Sequence, residues 1–250
     1  MPIGIDIHDG IATVRLDRPP VNAIDVALIV EVGDALSRLE ARDDVRALVV
    51  TGAGPCFSAG LDLKLIPRYS REEQLRTVTG INGAIARLYA LPVPTVAAVH
   101  GHAIAGGLVL ALACDYRVGT TAPCRLGLTE GRAGIPFPAV AMAVVRAELP
   151  PAAARRLTLV ARNYDPAAAL ADGVLDECQP PDVVLGRAQA VARDLAAIPR
   201  LAYARIKQQL RADTIAFNAR IVASGTDPLA DAWLAPEAAA ASAALLAGER

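Results

Sequence analysis

Two glycine-containing turns, each placed after an apolar run, constrain the fold of this chain more than any other feature. The first turn lies in Cys56–Lys64 (CFSAGLDLK) and the second in His100–Leu108 (HGHAIAGGL). The runs that precede them, Arg46–Thr51 and Thr95–Val99, are typical of buried strands. Small residues after a strand let another group approach the backbone closely. Each turn is therefore predicted to offer main-chain amides to a ligand.

The two turns together indicate a site that stabilises negative charge. Two amide N–H groups aimed at one oxygen form an oxyanion hole, which favours charge developing on a carbonyl. Gly106 opens the apolar segment Gly106–Cys114, which is typical of a fully buried helix. Its amide is then expected at the positive end of the helix dipole, without a partner inside the helix. Either turn alone would indicate only a tight turn.

Other glycine motifs in the chain are incomplete. Gly52 and Gly54 begin a dinucleotide-binding spacing, but Phe57 stands where the third glycine is required. The spacing of Gly101 and Gly106 matches a phosphate-binding loop, yet Gly107-Leu108 replaces the lysine and hydroxyl residue. Neither segment therefore predicts a nucleotide site.

Composition narrows the classes of protein further. The chain has 250 residues, 54% hydrophobic and 20% charged, which suits one large domain or one with a small appendage. A net charge of −1 and 4% aromatic residues argue against nucleic-acid binding. The four cysteines show no metal-binding spacing, so no metal site is predicted.

Neither a membrane segment nor a leader is indicated by the sequence. The longest apolar stretch, Val96–Cys114, is interrupted by histidines and glycines and ends at Asp115. The N-terminus lacks a basic region followed by an apolar one. We therefore expect a soluble, cytoplasmic protein.

Periodicity predicts a mixed α/β core followed by helices. Asp9-Gly10 favours a hairpin between Ile3–Ile7 and Ile11–Leu16. Asp25 can cap a helix that reaches Glu40. Further elements are expected at Ser70–Ala90 (helix), Asp115–Gly119 (strand), and 138–148, 151–161, 165–172, 182–197, 201–210 and 236–247 (helices). With a junction at Pro199, the chain divides into a core at 1–198 and a helical region at 199–250.

The paired motifs identify a resemblance to the crotonase superfamily, the enoyl-CoA hydratases and isomerases. The residues that carry it are Phe57–Leu63, Gly101–Gly107 and Cys114-Asp115, and further support comes from Arg18–Ala23, Glu130–Pro136 and Leu201–Leu210. The resemblance covers essentially the whole chain. It implies an α/β fold, a crotonase-like spiral of ββα turns with a helical C-terminal region. It also implies homotrimers or dimers of trimers, with residues 199–250 contributing to assembly.

The resemblance implies an acyl-CoA thioester as substrate, with coenzyme A as part of that substrate and no separate cofactor. The N–H groups of Leu61 and Gly106 would hold the thioester oxygen, and Glu130 would be catalytic. Lys64 and Lys207 are candidates for binding coenzyme A phosphates. The full set of expected substrate contacts is Ala23, Ser58, Ala59, Leu61, Asp62, Leu63, Lys64, Gly106, Gly107, Val109 and Lys207.

Val109 decides which reaction is favoured. Hydratases of this family use two glutamates, and the first lies three residues beyond the oxyanion glycine, where this chain has Val109. Glu130 matches the second, and its apolar neighbours Ala133, Ile135, Pro136 and Phe137 could raise its pKa. One carboxylate beside an oxyanion hole suits a proton shuttle. Isomerisation is therefore favoured, and hydration comes next.

Several alternatives remain open at this stage. The chain could be a non-catalytic or weakly active acyl-CoA-binding relative. A serine hydrolase is disfavoured because Ser58 has no adjoining histidine and acid. Asp62 could cap a helix or form a turn, and His102 could be a second acid–base group or a structural histidine.

Overall fold

The computed structural model describes residues 2–233 and 236–248, which form two sheets and a set of flanking helices. The strands are β1 (Ile3–His8), β2 (Ile11–Leu16), β3 (Ala47–Gly52), β4 (Cys56–Ser58), β5 (Thr95–Val99), β6 (His102–Ile104), β7 (Tyr116–Thr120), β8 (Leu126–Gly127) and β9 (Glu177–Gln179). The helices are α1 (Val26–Glu40), α2 (Arg71–Ala90), α3 (Gly106–Leu112), α4 (Ala139–Glu148), α5 (Pro151–Thr158), α6 (Pro166–Ala171), α7 (Val184–Ala196), α8 (Arg200–Leu210), α9 (Ala212–Ser224), α10 (Ala230–Trp233) and α11 (Pro236–Leu246).

The larger sheet has six strands in the order β1-β2-β3-β5-β7-β9. Only β1 and β2 pair antiparallel, and the later pairs are parallel. Strand β3 and strand β5 are wholly buried, as expected for parallel strands that are covered on both faces. These strands form the centre of the sheet.

The smaller sheet contains β4, β6 and β8, which are parallel neighbours. Each of its strands directly follows a strand of the larger sheet, so β3–β4, β5–β6 and β7–β8 are consecutive pairs, and helices follow them. One turn of chain therefore adds a strand to both sheets. This arrangement confirms the expected spiral of ββα turns with helices toward the C-terminus.

Local signals in the sequence determine where the first elements begin. The Asp25 side chain accepts a hydrogen bond from the Leu28 N–H and caps α1. Ser70 and Glu73 form a reciprocal capping box at the start of α2. Asp9 and Gly10 both have positive φ, which the tight turn between β1 and β2 requires. The hairpin and both helices were predicted correctly.

From residue 199 onward, the described residues form helices α8 to α11, which pack at different places. Helix α9 packs against α2 and α4, and Trp233 of α10 joins the main core. Helix α11 returns to the short helical turn at Glu130–Ala133. Helix α8 instead leaves three apolar side chains exposed: Leu201, Ile206 and Leu210. Of the C-terminal helices, the sequence predicted α8 and α11 and missed α9 and α10.

None of the helices in the described part of the chain combines the length and apolar character needed to cross a bilayer.

Candidate active site

The two glycine turns lie side by side because they follow neighbouring strands of the small sheet. Cys56 pairs with His102 and Ser58 with Ala103 across β4 and β6. A Cβ on Gly60 would lie 2.6 Å from the Ile104 carbonyl oxygen and 3.2 Å from the Gly106 nitrogen. Gly60 also has φ +75°, which side-chain-bearing residues rarely adopt. Glycine at this position therefore lets the two turns touch.

The amides of Leu61 and Gly106 are both free within residues 2–233 and 236–248, where neither donates a hydrogen bond. Ile24 donates to the Gly60 carbonyl at 2.6 Å and accepts from the Asp62 N–H at 2.9 Å. Because alternate residues of an extended chain point to opposite sides, the Leu61 N–H faces away from Ile24. The Gly106 N–H is the first of α3, where a helix supplies no acceptor.

Glu130 lies in a small cavity beside these turns. The cavity has a volume of about 180 Å³ and is lined by Ala59, Leu61, Leu63, Ile104, Ala105, Thr129, Glu130, Ala133, Ile135 and Leu245. Glu130 is 5% exposed, and its Oε2 has no hydrogen-bond partner among the described residues. Burial raises the pKa of Glu130 to about 8. In the described part of the chain, it is the only ionisable residue that lines the cavity.

Three expected substrate-contacting residues share this cavity with Glu130: Ala59, Leu61 and Leu63. Lys64 is exposed at the end of the same segment. Ala23 is partly buried, and its carbonyl accepts a hydrogen bond from Arg18. These positions are compatible with the expected substrate contacts, which stay predictions.

The Asp62 side chain makes its contacts with other residues of the protein. Its Oδ1 accepts hydrogen bonds from the N–H groups of Lys64 and Leu65 at 3.1 and 3.2 Å. Its Oδ2 forms an ion pair with Arg18 at 2.8 Å. Asp62 therefore stabilises the turn that follows Leu61. This is the turn-forming role that sequence analysis considered for it.

Three other expected substrate contacts are buried away from the cavity. Ser58 is fully buried, and its hydroxyl bonds the Asn22 carbonyl at 2.8 Å. Gly107 packs against the Ser58 carbonyl so closely that a Cβ would collide with it. Val109 is fully buried in the core and does not line the cavity. These three residues pack the two turns and α3 together, and their positions do not support a direct substrate contact, which stays a prediction.

The expected role of Lys207 in phosphate binding also disagrees with its position. Lys207 is 6% exposed, and its Nζ lies 2.9 Å from Asp115 Oδ2 and 3.2 Å from the Val93 carbonyl. Arg211 contacts the other oxygen of Asp115 at 2.9 Å. Lys207 is thus part of a buried ion pair that ties α8 to the start of β7, which supports a structural role for it, while the phosphate contact stays a prediction.

His102 lies outside the cavity and has a partner in the backbone. Its Nδ1 accepts a hydrogen bond from the Arg125 N–H at 3.1 Å. This contact supports the structural role considered for it. In the part of the chain that the structure describes, no cluster of three or more His, Cys, Asp or Glu residues could hold a metal ion.

Sequence analysis did not identify several residues that shape the cavity. Ala105 and Thr129 adjoin the predicted residues Gly106 and Glu130. Ile104 lies two residues before Gly106, and Leu245 comes from α11, far along the chain. Ala133 and Ile135 form part of the expected apolar wall around Glu130. Pro136 and Phe137, expected in the same wall, instead line a separate cavity of about 780 Å³ beside α4 and α9.

Comparisons with known proteins give matches in both sequence and structure. Residues 6–225 match the enoyl-CoA hydratase/isomerase family model. A probable enoyl-CoA hydratase of Mycobacterium tuberculosis is 37% identical over 184 residues, covering 74% of this chain and 70% of that protein. The mitochondrial enoyl-CoA delta isomerase 1 of Mus musculus is 32% identical over 207 residues, covering 82% and 72%. The crystal structure of human mitochondrial delta3-delta2-enoyl-CoA isomerase superposes with a TM-score of 0.91 at 25% identity, covering 99% and 98%.

Proposed function

Because the chain belongs to the enoyl-CoA hydratase/isomerase family, we propose that it isomerises 3-enoyl-CoA thioesters to 2-enoyl-CoA thioesters. The family processes acyl-CoA thioesters, and the finer assignment rests on the residues around Glu130. In this proposal Glu130 is the single acid–base group, and the amides of Leu61 and Gly106 form the oxyanion hole. Coenzyme A belongs to the substrate, and no further cofactor takes part.

The observation that carries the proposal is that, among residues 2–233 and 236–248, Glu130 is the only ionisable one that lines the cavity. Adding water to a double bond requires one group to activate the water and a route for a proton to C2. The position where family hydratases have their first glutamate is Val109, whose side chain is buried in the core. Moving one proton between two carbons needs only one carboxylate. The cavity therefore favours isomerisation over hydration.

The reaction proceeds in two proton transfers. The Glu130 carboxylate removes a proton from C2 of the 3-enoyl thioester, and the electron pair moves toward the thioester oxygen. The Leu61 and Gly106 N–H groups donate hydrogen bonds to that oxygen as it becomes negative. The Glu130 carboxylic acid then returns the proton to C4, which leaves the double bond between C2 and C3. The burial that raises the pKa of Glu130 to about 8 makes both transfers feasible near neutral pH.

We also propose that the chain acts as a homotrimer or a dimer of trimers. The support is helix α8, where Leu201, Ile206 and Leu210 are 62%, 61% and 83% exposed. An apolar surface of this kind is typical of an interface between subunits. Analytical ultracentrifugation of the wild type and of Leu210→Glu measures the assembly directly, and a monomeric wild type would contradict it.

The test of the proposed reaction uses two substrates and two variants. We expect the wild type to convert 3-hexenoyl-CoA to 2-hexenoyl-CoA faster than it hydrates 2-hexenoyl-CoA, followed by chromatography of the products. Glu130→Gln should lower isomerisation by about 10²–10⁴-fold, because it removes the acid–base group. Glu72→Gln, an exposed glutamate on α2, is the matched control and should leave the rate unchanged.

Other outcomes would identify the alternatives. Faster hydration than isomerisation would assign the chain as a hydratase. Binding of hexanoyl-CoA without turnover of either substrate, unaffected by Glu130→Gln, would indicate a non-catalytic acyl-CoA-binding protein.

A further inference from the structure

The cavity that contains Glu130 is small for a ligand site. Its volume of about 180 Å³ lies below the range of about 300–1,000 Å³ that is usual for small-molecule pockets. Apart from Thr129 and Glu130, all the lining side chains are aliphatic: Ala59, Leu61, Leu63, Ile104, Ala105, Ala133, Ile135 and Leu245. The size of an apolar group that can enter is therefore set by these side chains.

Leu245 is the one lining residue contributed by α11 in the part of the chain that the structure describes. Its helix is fixed against the turn that carries Glu130. The Ser242 hydroxyl donates a hydrogen bond to the Ala133 carbonyl at 3.1 Å, in a buried position. A Cβ on Gly134 would lie 2.5 Å from the Ala241 Cβ, so the two backbones are in close contact. Leu245 is consequently held as a wall of the cavity by the fold of its own chain.

The volume limits the length of the bound acyl group. One water molecule occupies about 30 Å³ in the liquid. If each non-hydrogen atom of the ligand, with its hydrogens, takes a similar volume, the cavity holds about six such atoms. We propose that the enzyme acts on short acyl chains of four to six carbons and that Leu245 sets this upper limit. The inference rests on the proposed function, which places the thioester carbonyl at Leu61 and Gly106.

A longer acyl chain would need space outside this cavity. The larger cavity, of about 780 Å³, begins at Pro136 and Phe137, directly after the lining residue Ile135. The two cavities have no lining residue in common. A long chain that stays buried beside Glu130 would therefore have to displace the wall, at a cost that grows with each added methylene group.

The experiment compares kcat/KM for 3-butenoyl-, 3-hexenoyl-, 3-octenoyl- and 3-decenoyl-CoA. We expect the wild type to lose at least about tenfold between the hexenoyl and octenoyl substrates, the lower bound for one excess methylene group in a fitted pocket. Leu245→Ala should raise kcat/KM for the octenoyl substrate by about tenfold and leave the butenoyl value within about threefold. Leu246→Ala changes an exposed neighbour on the same helix and should not alter the profile.

Two results would overturn the proposal. One is equal turnover of hexenoyl and decenoyl substrates by the wild type. The other is a Leu245→Ala profile identical to that of the wild type, with both proteins shown to be folded by circular dichroism.

Failure of the proposed function would be distinguishable from failure of the length limit. If no 3-enoyl-CoA is turned over, calorimetric titration with butanoyl-, hexanoyl- and decanoyl-CoA replaces the kinetic series. A fall in affinity beyond hexanoyl-CoA that Leu245→Ala removes would support the limit without isomerase activity. Equal affinity for all three ligands would overturn it.

Discussion

The hydroxyl of Ser242 donates a hydrogen bond to the carbonyl of Ala133, 3.1 Å away, and so joins α11 to the turn that carries Glu130. Ser242 is 2% exposed, and its partner lies three residues from the catalytic candidate. The C-terminal helix therefore helps to fix the position of the proposed acid–base group as well as one wall of the cavity.

Removing this hydrogen bond should affect catalysis more than substrate binding. We expect Ser242→Ala to lower the free energy of unfolding by about 1 kcal/mol. We expect kcat to fall and KM to stay nearly unchanged, because Glu130 is less well fixed while the coenzyme A contacts remain. Ser37→Ala, which removes a hydroxyl bond to the Gly33 carbonyl within α1, is the control. A parallel loss of kcat in the control would contradict the role of Ser242.

The buried carboxyl of Glu130 should make the stability of the protein depend on pH. Its pKa is raised to about 8 in the folded chain, against about 4.3 when unfolded. Between these values the folded state holds a proton that the unfolded state has lost, so stability falls as the pH rises. As the pH rises from about 4 to about 9, the free energy of unfolding of Glu130→Gln should therefore increase relative to that of the wild type by on the order of 3–5 kcal/mol.

Urea denaturation of both proteins across this pH range measures that difference. A difference in unfolding free energy that stays constant with pH would show that Glu130 does not titrate in this way.

Two glycines share a left-handed backbone conformation but differ in their surroundings. Substituting each of them distinguishes the effect of backbone strain from the effect of a steric contact. Gly54 and Gly60 have φ +70° and +75°, but only Gly60 faces another backbone, 2.6 Å from its Cβ position to the Ile104 oxygen. Gly54→Ala should cost about 1–2 kcal/mol from the left-handed conformation alone. Gly60→Ala should cost more and lower kcat/KM by about 10²-fold, because it pushes the Leu61 amide away from that of Gly106. Equal effects of the two substitutions on kcat/KM would contradict the convergence of the turns.

Replacing each of the two lysines of the chain with alanine should affect different properties of the protein. Lys64 is exposed, so Lys64→Ala should weaken coenzyme A binding by up to about fivefold if it contacts a phosphate. Lys207→Ala removes one partner of a buried pair and should lower the free energy of unfolding by about 3 kcal/mol. Calorimetric titration with coenzyme A and thermal unfolding distinguish the two effects. Weaker coenzyme A binding by folded Lys207→Ala would contradict its structural role.

Sequence patterns predicted the elements that have strong local signals. The Asp9-Gly10 turn, the Asp25 cap and the apolar strands gave the correct hairpin, α1, β3 and β5. The strands of the small sheet have only two or three residues, too few for an alternating pattern, so β4, β6 and β8 were not predicted. Helix α9 follows α8 after Arg211, without a side-chain cap to mark its start.

The proposed site residues come from local patterns, and the residues that sequence analysis did not identify depend on distant packing. Glycine spacing predicted Leu61 and Gly106, and the family resemblance predicted Glu130, whose roles stay predictions. Helix α3 is buried on all sides from Gly107 to Leu112, as its apolar sequence predicts, but whether any of its residues lines the cavity depends on packing against distant segments. Lys207 is buried because Asp115 and Arg211 surround it. Leu245 reaches the cavity only through the return of α11, which no local pattern indicates.

The central claim is that the N–H groups of Leu61 and Gly106 both bind the thioester oxygen. Infrared spectroscopy of hexanoyl-CoA labelled with carbon-13 at the carbonyl reports hydrogen bonding to that oxygen directly. We expect the carbonyl band to move to lower frequency on binding to the wild type, and less so when an ester oxygen replaces the Gly106 N–H. A bound carbonyl band at the frequency of the free ligand, insensitive to that replacement, would contradict the claim.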